Sequence, residues 1–234
     1  MRFGTYFFLQ ATPGRRHADI IQHELDQMVL SEELGFDEVW LTEHHFIDYG
    51  LSVDPATLAS AVASRTSRLR IGLAAAILPF HDPIRIAEQL ALVDIISGGR
   101  LDVGVGRGNR PSEFIGYRVP QVESRERFDE AVQIIQRAWI DERFSYGGRY
   151  FQIPEVRVIP KPLQRPHPPL YQVCVTKDGI ENTALRGWPM LNSVLFGPVG
   201  QLVANRDMFP RGVDLILVTE NAVAALPRSV RVAT

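Results

Sequence analysis

The chain of 234 residues has a single cysteine, Cys174. One thiol cannot close an internal disulfide or build a thiolate metal cluster, so neither kind of centre is expected. The chain also lacks an excess of charge of either sign, since 25 basic and 27 acidic side chains leave a formal net charge of −2. This balance gives no indication that the partner is a nucleic acid or a membrane surface.

Long apolar runs are missing as well, and no stretch approaches the roughly 20 residues that a membrane-spanning helix needs. The first ten residues, MRFGTYFFLQ, carry one basic residue and no small-residue cleavage site, a pattern that predicts a strand rather than a signal peptide. Hydrophobic residues make up 45% of the chain and charged residues 22%, which is typical of globular proteins. We therefore expect a cytoplasmic globular protein.

Short apolar runs alternate with segments of helical periodicity along most of the chain. Two helices are predicted to begin at Asp-Pro pairs, Asp54-Pro55 and Asp82-Pro83, because aspartate caps a helix and proline suits its first turn. The predicted strands are RFGTYFF, DEVWLT, LRIGLAAAILP, RLDVGVG, PLYQVCV and PMLNSV, and the predicted helices cover residues 17–36, 54–67, 82–99, 124–140 and 178–187. This alternation predicts an α/β fold with a parallel sheet and helical crossovers.

Two architectures fit the alternation, an open doubly wound sheet and a closed (β/α) barrel. Polar residues follow several different strands, and sites fed by many strand ends are typical of the barrel. The segment 145–169 interrupts the alternation with Gly147-Gly148 and a group of prolines. It is predicted to form a hairpin followed by an extended surface connection.

The stretch LTEHHF, from Leu41 to Phe46, places an acid and two histidines directly after the second predicted strand. Because the unperturbed pKa of histidine is about 6.5, such a residue can exchange protons near neutral pH. Adjacent residues point in different directions, so we expect only one of His44 and His45 to face a cavity. The alternative is a structural histidine hydrogen-bonded within a loop. No His-x-His or His-x-x-x-His spacing occurs, so no metal site is expected.

Two further stretches indicate that a large flat ligand approaches the backbone. GLAAAILP has three small alanines, residues 74–76, in the middle of a predicted buried strand. GVGRGN alternates glycines around Arg107, whose fixed charge suits a phosphate or an electron-rich ring. The alternatives are close helix–sheet packing for the alanines and a tight turn for the glycines.

The stretch CVTKDG, residues 174–179, joins the fifth predicted strand to a helix. Thr176 and the backbone amides up to Gly179 surround a helix N-terminus, which is suited to binding a phosphate. The alternative is ordinary N-capping by Thr176 or Asp178, with Glu181 completing a capping box for Asp178.

Taken together, these places resemble the bacterial luciferase-like family of flavin-dependent monooxygenases. The motifs that carry the resemblance are GFDEVWLTEHHF, LRIGLAAAILPFHDPIRIAEQLALVDIISGGRLDVGVGRG and RGWPML. The resemblance extends from Met1 to about Asp207. It implies a (β/α)8 TIM-type barrel that binds reduced FMN at the carboxyl ends of its strands.

The resemblance also assigns residues. His44 takes the place of the active-site histidine, and Ala74 and Ala75 match a non-proline cis peptide beneath the flavin ring. Arg107 matches an arginine close to the flavin phosphate.

Further phosphate contacts are implied at the start of the last predicted helix. Thr176 matches a hydroxyl residue that binds the phosphate, while Val175 and Gly179 supply backbone contacts. The luciferase proper has polar side chains at these last two positions, so only the backbone contacts carry over.

The function implied is a monooxygenase that uses reduced FMN and O2 to oxidise a small organic substrate. A separate flavin reductase is expected because no nicotinamide fingerprint is present, and the chain is expected to form a homodimer. One alternative is a deazaflavin-dependent hydride-transfer oxidoreductase on the same fold. The other is a non-catalytic flavin-binding protein or inactive fragment.

The resemblance ends near the C-terminus. Residues 1–208 are predicted to hold barrel units one to six, and residues 209–234 diverge from the family. Within the divergent segment, VDLILVT could form a seventh strand. The sequence therefore predicts a (β/α)8-type barrel that is incomplete at its C-terminal side.

Overall fold

The computed structural model describes residues 2–48, 50–174 and 176–193, and the backbone of a strand at 215–218. Its strands are β1 (Gly4–Phe7), β2 (Glu38–Leu41), β3 (Arg70–Leu73), β4 (Ala76–Ile77), β5 (Leu101–Gly106), β6 (Phe144–Gly147), β7 (Gln152–Val156), β8 (Leu170–Val173), β9 (Met190–Ser193) and β10 (Leu215–Val218). Its α-helices are α1 (His17–Glu33), α2 (Pro55–Ala63), α3 (Pro83–Ser97), α4 (Pro111–Tyr117), α5 (Ser124–Ile140) and α6 (Lys177–Leu185), with short 3-10 turns at Leu78–Phe80 and Gln121–Glu123.

One parallel sheet organises the chain, with strand order β1-β2-β3-β5-β8-β9-β10 and the short β4 alongside β5. The sheet is curled into a half-barrel, so the predicted α/β fold of (β/α)8 type, incomplete at its C-terminal side, is confirmed. The seventh strand that the sequence allowed is present as β10, paired in parallel with β9. β6 and β7 form the predicted antiparallel hairpin. The division into residues 1–208 and 209–234 stays a prediction.

Local capping signals explain where two of the helices begin. The Asp54 side chain accepts hydrogen bonds from two backbone amides in the first turn of α2, and Asp82 does the same for α3. Proline occupies the first position of both helices, where the missing N–H costs nothing. α3 ends at Gly98, which has the left-handed conformation that glycine adopts readily.

The predicted single strand at 69–79 is wrong in one respect. It is divided into β3 and β4, and the peptide bond between Ala74 and Ala75 at the division is cis. The cis bond that the family resemblance implied is therefore confirmed. The sequence analysis also missed α4, a short helix that follows β5.

The two faces of the sheet bury different side chains. The large aliphatic core lies on the outer face between the sheet and its helices. On the inner face Trp40, Tyr171 and Leu191 form a separate cluster, in which the Trp40 and Tyr171 rings meet edge to face at 5.3 Å. The Trp40 ring lies over Gly72, where a side-chain carbon would collide with it. The inside of the half-barrel is therefore filled by side chains, as in a closed barrel.

Two of the alternating glycines at the end of β5 have different physical roles. A side-chain carbon at Gly104 would collide with the backbone carbonyl of Leu73 on β3, so this glycine permits close packing of strands. Gly108 instead has a φ of +76°, a conformation that favours glycine. The tight-turn interpretation holds for Gly108 and not for Gly104.

Gly104→Ala should lower the free energy of unfolding by about 1–3 kcal/mol, because a methyl group must displace the backbone of β3. Gly147→Ala in the exposed hairpin is a matched control, since its new carbon would lie 3.8 Å from the nearest atom, Gln152 Oε1. Urea denaturation should show a lower midpoint for the first variant with an unchanged slope. Equal midpoints for the two variants would contradict the packing role.

Candidate active site

The carboxyl ends of β2, β4 and β5 bring polar side chains together at one edge of the sheet. His44 follows β2, and its Nδ1 lies 3.1 Å from Oε1 of Glu113 in the first turn of α4. Glu113 is buried, while the His44 side chain keeps 18% of its surface exposed. The His44 ring stacks parallel to Phe8 at 6.3 Å between centroids. A histidine held by a buried carboxylate thus keeps part of its side chain exposed.

The hydrogen bonds define which His44 nitrogen carries the proton. Oε1 of Glu113 also accepts the backbone N–H of His45 at 3.1 Å, so this oxygen acts as an acceptor. With the carboxylate as the acceptor, His44 Nδ1 donates this hydrogen bond, and Nε2 is the nitrogen on the other side of the ring. A histidine that exchanges protons through Nε2 needs this tautomer, in which Nδ1–H is bound to the carboxylate.

His45 points the other way, into a buried network around Glu43. Its Nε2 donates to Glu43 Oε1 at 2.9 Å, and its Nδ1 lies 3.0 Å from the Tyr117 hydroxyl. Glu43 also accepts from His81 Nε2, at 2.8 and 3.0 Å, and from the Ile77 backbone N–H at 2.9 Å. The two adjacent histidines therefore have different hydrogen-bond partners, while the expectation that only one of them faces a cavity stays a prediction.

The network changes the proton affinities of its members. Burial of Glu43 opposes its ionisation, but hydrogen bonds from His45, His81 and Ile77 outweigh burial and hold the pKa of the carboxyl below its ordinary value. Burial likewise disfavours the charged form of His81, yet the hydrogen bond and charge of Glu43, with a smaller effect of Asp54, raise the pKa of that imidazole. Glu43 is therefore an anion that favours a cationic His81.

Aromatic rings enclose the His45 side of the site. Phe80 and Tyr117 stack at 4.9 Å, Phe80 meets Phe114 edge to face at 4.9 Å, and Tyr117 lies edge to face on His45 at 4.7 Å. Phe46, with a φ of 59°, covers Tyr117 at 5.3 Å and is 64% exposed. These rings pack over the His45 side of the buried network.

Three members of the site were missed from the sequence. His81 was not predicted as a site residue, although the PFHDP stretch places it soon after the third predicted strand. Glu113 and Tyr117 lie on α4, which was not predicted. Position after a strand end was the one available signal, and it applied to His81 more clearly than to the other two.

Small residues border the site between β3 and β5. Ala75 is buried, and a side-chain carbon at Gly106 would lie 3.5 Å from its Cβ and 3.3 Å from Ile77 Cδ1. The strand ends thus come close together where Ala74 and Ala75 join β3 to β4. The role of these two alanines in binding a cofactor stays a prediction.

A second group lies at the start of α6. The N-cap is Thr176, whose Oγ1 accepts the Gly179 backbone N–H at 3.3 Å, so Thr176 and not Asp178 caps this helix. Burial, followed by the charge of Arg125, lowers the pKa of Arg107, and Asp129 and Asp178 act in the opposite direction. Arg107 therefore lies within electrostatic range of Asp178 in the first turn of α6, and its role in binding a phosphate stays a prediction.

Val175, a predicted backbone contact, lies outside the described residues. Cys174 is buried, and burial raises the pKa of its thiol to about 11, so it is not a thiolate near neutral pH. Among residues 2–48, 50–174 and 176–193 no group of three or more His, Cys, Asp or Glu side chains is arranged to hold a metal ion. Within these ranges no helix has the length and apolar character needed to span a membrane.

A parallel half-barrel with histidines and carboxylates at the carboxyl ends of its strands has the arrangement of a (β/α)-barrel enzyme. The family model of luciferase-like monooxygenases matches residues 1–204. The chain belongs to this family. A second family model, for the bacterial phosphonate metabolism protein PhnH, matches only the C-terminal residues 178–233 and assigns no family.

Curated relatives include an alkanal monooxygenase alpha chain from the Kryptophanaron alfredi symbiont, 30% identical over 82% of this chain and 54% of the relative. The oxygenase component of flavin-dependent trigonelline monooxygenase from Acinetobacter baylyi is 27% identical over 73% of this chain and 48% of the relative. The chain thus spans about half the length of the curated relatives it matches.

Solved structures of similar fold include three oxidoreductases. Monooxygenase RslO1 from Streptomyces bottropensis is 32% identical, with a TM-score of 0.87 over 93% of this chain and 70% of that chain. Two others share the fold at 19% identity. The FMN complex of the oxygenating constituent of 3,6-diketocamphane monooxygenase from Pseudomonas putida has a TM-score of 0.76, covering 82% of this chain and 57% of its own. An F420-dependent secondary alcohol dehydrogenase has a TM-score of 0.70, covering 94% and 68%.

Glu113→Ala should lower the free energy of unfolding by about 1–3 kcal/mol, because the His45 N–H would lose its buried acceptor. Glu113→Gln should lose less, since its amide oxygen can still accept from both donors. Glu155→Ala, which removes an exposed carboxylate paired with Arg143, is the control and should have little effect. The free energy of unfolding of the three variants is measured by urea denaturation. Equally small losses in Glu113→Ala and Glu113→Gln would contradict this role of Glu113.

Proposed function

We propose that the protein is a flavin-dependent monooxygenase that uses reduced FMN and O2 to oxidise a small organic substrate. The observation that carries the proposal is the His44–Glu113 pair at the carboxyl ends of β2 and β5, in a chain of the luciferase-like family. The pair provides a proton-exchanging nitrogen at the edge of the sheet where barrel enzymes bind their substrates.

The chain has groups that fit a flavin phosphate. Arg107 and Arg125 are close enough for the charge of one to lower the pKa of the other, after the larger effect of burial, and an anion between like charges would relieve their repulsion. The α6 N-terminus next to them adds backbone N–H groups and the Thr176 hydroxyl. Arg107, Thr176 and Gly179, together with Val175, would hold the phosphate.

The chain also fits a flat ring system. Ala74, Ala75 and Gly106 present methyl groups and hydrogen where larger side chains would block access to the strand ends. Ala74 and Ala75 would therefore support the flavin ring. Bound reduced flavin would supply the electrons that activate O2 for transfer to the substrate.

Residues of this chain would control protons and water around that chemistry. His44 Nε2 would take or give a proton, and Glu113 would keep the imidazole in the orientation and tautomer this requires. Phe46, Phe80 and Phe114 would exclude water from the site.

A reductase partner follows from the same proposal. The trigonelline enzyme is named as an oxygenase component, which supports delivery of reduced flavin by a separate protein. We extend the proposal to a homodimer, supported by the exposed apolar side chains Leu92, Ile95 and Ile96 on α3.

A deazaflavin-dependent hydride transfer is the second candidate, favoured by the likeness to the F420-dependent alcohol dehydrogenase. Titration of the purified protein with oxidised FMN, reduced FMN and deazaflavin separates the two cofactors. Oxygen uptake with reduced FMN and candidate substrates then separates a monooxygenase from a non-catalytic flavin-binding protein.

His44→Ala should reduce turnover by about 10²- to 10⁴-fold with little change in FMN affinity, because it removes proton transfer and not a binding group. His23→Ala on the exposed face of α1 is the control. Turnover is measured as oxygen consumption by stopped flow, and FMN affinity by a parallel titration. An unaltered rate would exclude His44 from the mechanism.

Arg107→Ala should lower the affinity for FMN by about 10- to 100-fold, the range expected for loss of a charge-assisted hydrogen bond. Riboflavin, which lacks the phosphate, should lose far less affinity. Arg143→Ala in the exposed hairpin serves as the control. Equal weakening of both ligands, measured by fluorescence titration, would place Arg107 at the ring or in the fold instead.

A further inference from the structure

A single buried carboxylate joins three segments of the site. The Glu43 side chain has no exposed surface, and its two oxygens accept from His45, His81 and Ile77. His45 lies two residues further along the same loop, whereas Ile77 and His81 lie beyond β3. The contacts of Glu43 therefore connect the loop after β2 to the end of β4.

Both distant donors flank the 3-10 turn Leu78–Phe80. Ile77 donates from the residue before the turn and His81 from the residue after it, so one carboxylate holds the turn at both ends. The turn begins directly after β4, which follows Ala75. It also carries Phe80, which packs against Phe114 and Tyr117. Displacement of the turn would move both the small-residue border and the aromatic wall of the site.

His81 differs from Glu43 in its access to water, since 20% of its side chain is exposed. The charged and titratable groups around it come from several elements. Glu43 lies at the end of β2, Asp54 at the start of α2, and Asp82 follows His81 in the chain. Tyr117 on α4 reaches the same network through His45. Glu43 and, to a smaller degree, Asp54 favour the protonated form of His81, and solvent can supply or remove that proton.

We propose that Glu43 and His81 form an ion pair that positions the segment 76–81, and that loss of the His81 charge at higher pH loosens this segment and weakens cofactor binding. His81 is in this view a positioning residue that acts through Glu43. The effect on cofactor binding rests on the proposed function, whereas the ion pair itself does not.

The direction of the pH effect follows from the two shifts. The pKa of His81 is raised above its ordinary 6.5, so its stabilisation is complete below that value and is lost as the pH rises through the raised pKa. The pKa of Glu43 is lowered below its ordinary 4.5, so its stabilisation is lost only in more acidic solution. The pair is therefore strongest in mildly acidic to neutral solution and weakens on the alkaline side.

His81→Gln is the variant that isolates the charge. A glutamine amide can still donate to Glu43 but cannot be protonated. His23→Gln is the matched control, because His23 is exposed on α1. Both variants and the wild-type chain are unfolded in urea at intervals from about pH 6 to about pH 9, a range that brackets histidine titration. Histidine ring signals of the wild-type chain are followed by NMR over the same range.

The wild-type chain and His23→Gln should lose stability relative to His81→Gln as the pH rises, and the His81 ring should titrate above the ordinary histidine value of about 6.5. The dissociation constant for FMN should rise about fivefold or more across this range in the wild-type chain, and should change little in His81→Gln, if the coupling is of ordinary size. A His81 midpoint at or below about 6.5 would overturn the ion pair, even if the variant fails to fold. If the dissociation constant for FMN varied with pH in the same way in all three proteins, positioning of the cofactor site by His81 would be overturned. If none of the three bound FMN, the proposed function would be overturned, and the ion pair would still be tested by the stability and NMR measurements.

Discussion

Parallel strand pairing is the constraint on which the rest of the structure depends. It brings the carboxyl end of every strand to one edge of the sheet, so loops far apart in sequence meet there. His44 and Glu113 are 69 residues apart and Glu43 and His81 are 38 apart, yet both pairs are in hydrogen-bond contact. Crossover helices cover the outer face and leave the strand ends available for polar side chains.

The packed inner face separates two polar layers with different roles. At the amino ends of the strands, Arg70 forms a two-point hydrogen bond with buried Asp102, and Trp40 donates to Glu38. The Trp40 cluster lies between this layer and the site at the carboxyl ends. Side chains on the inner face thus separate the polar layer at the amino ends from the edge where His44 and its partners lie.

Buried carboxylates order the site by accepting more than one hydrogen bond each. Glu113 fixes the His44 ring and the backbone of His45 with one oxygen. Glu43 holds two histidines and a strand end, and these hydrogen bonds together offset the free energy lost by burying its charge. Glu113 thus orients the His44 ring, and Glu43 holds the 3-10 turn, at the same edge of the sheet.

Short-range physics made much of the fold predictable from sequence. Asp54 and Asp82 cap helices through amides two and three residues away, and strand periodicity is equally local, so these features were read directly from the chain. The choice of Thr176 over Asp178 as N-cap, the division of the strand at Ala74–Ala75 into β3 and β4, and the partners of His81 and Glu113 were decided by tertiary structure. They depend on which strand ends become neighbours and on what each buried group must then hydrogen-bond, and sequence spacing alone does not contain that information.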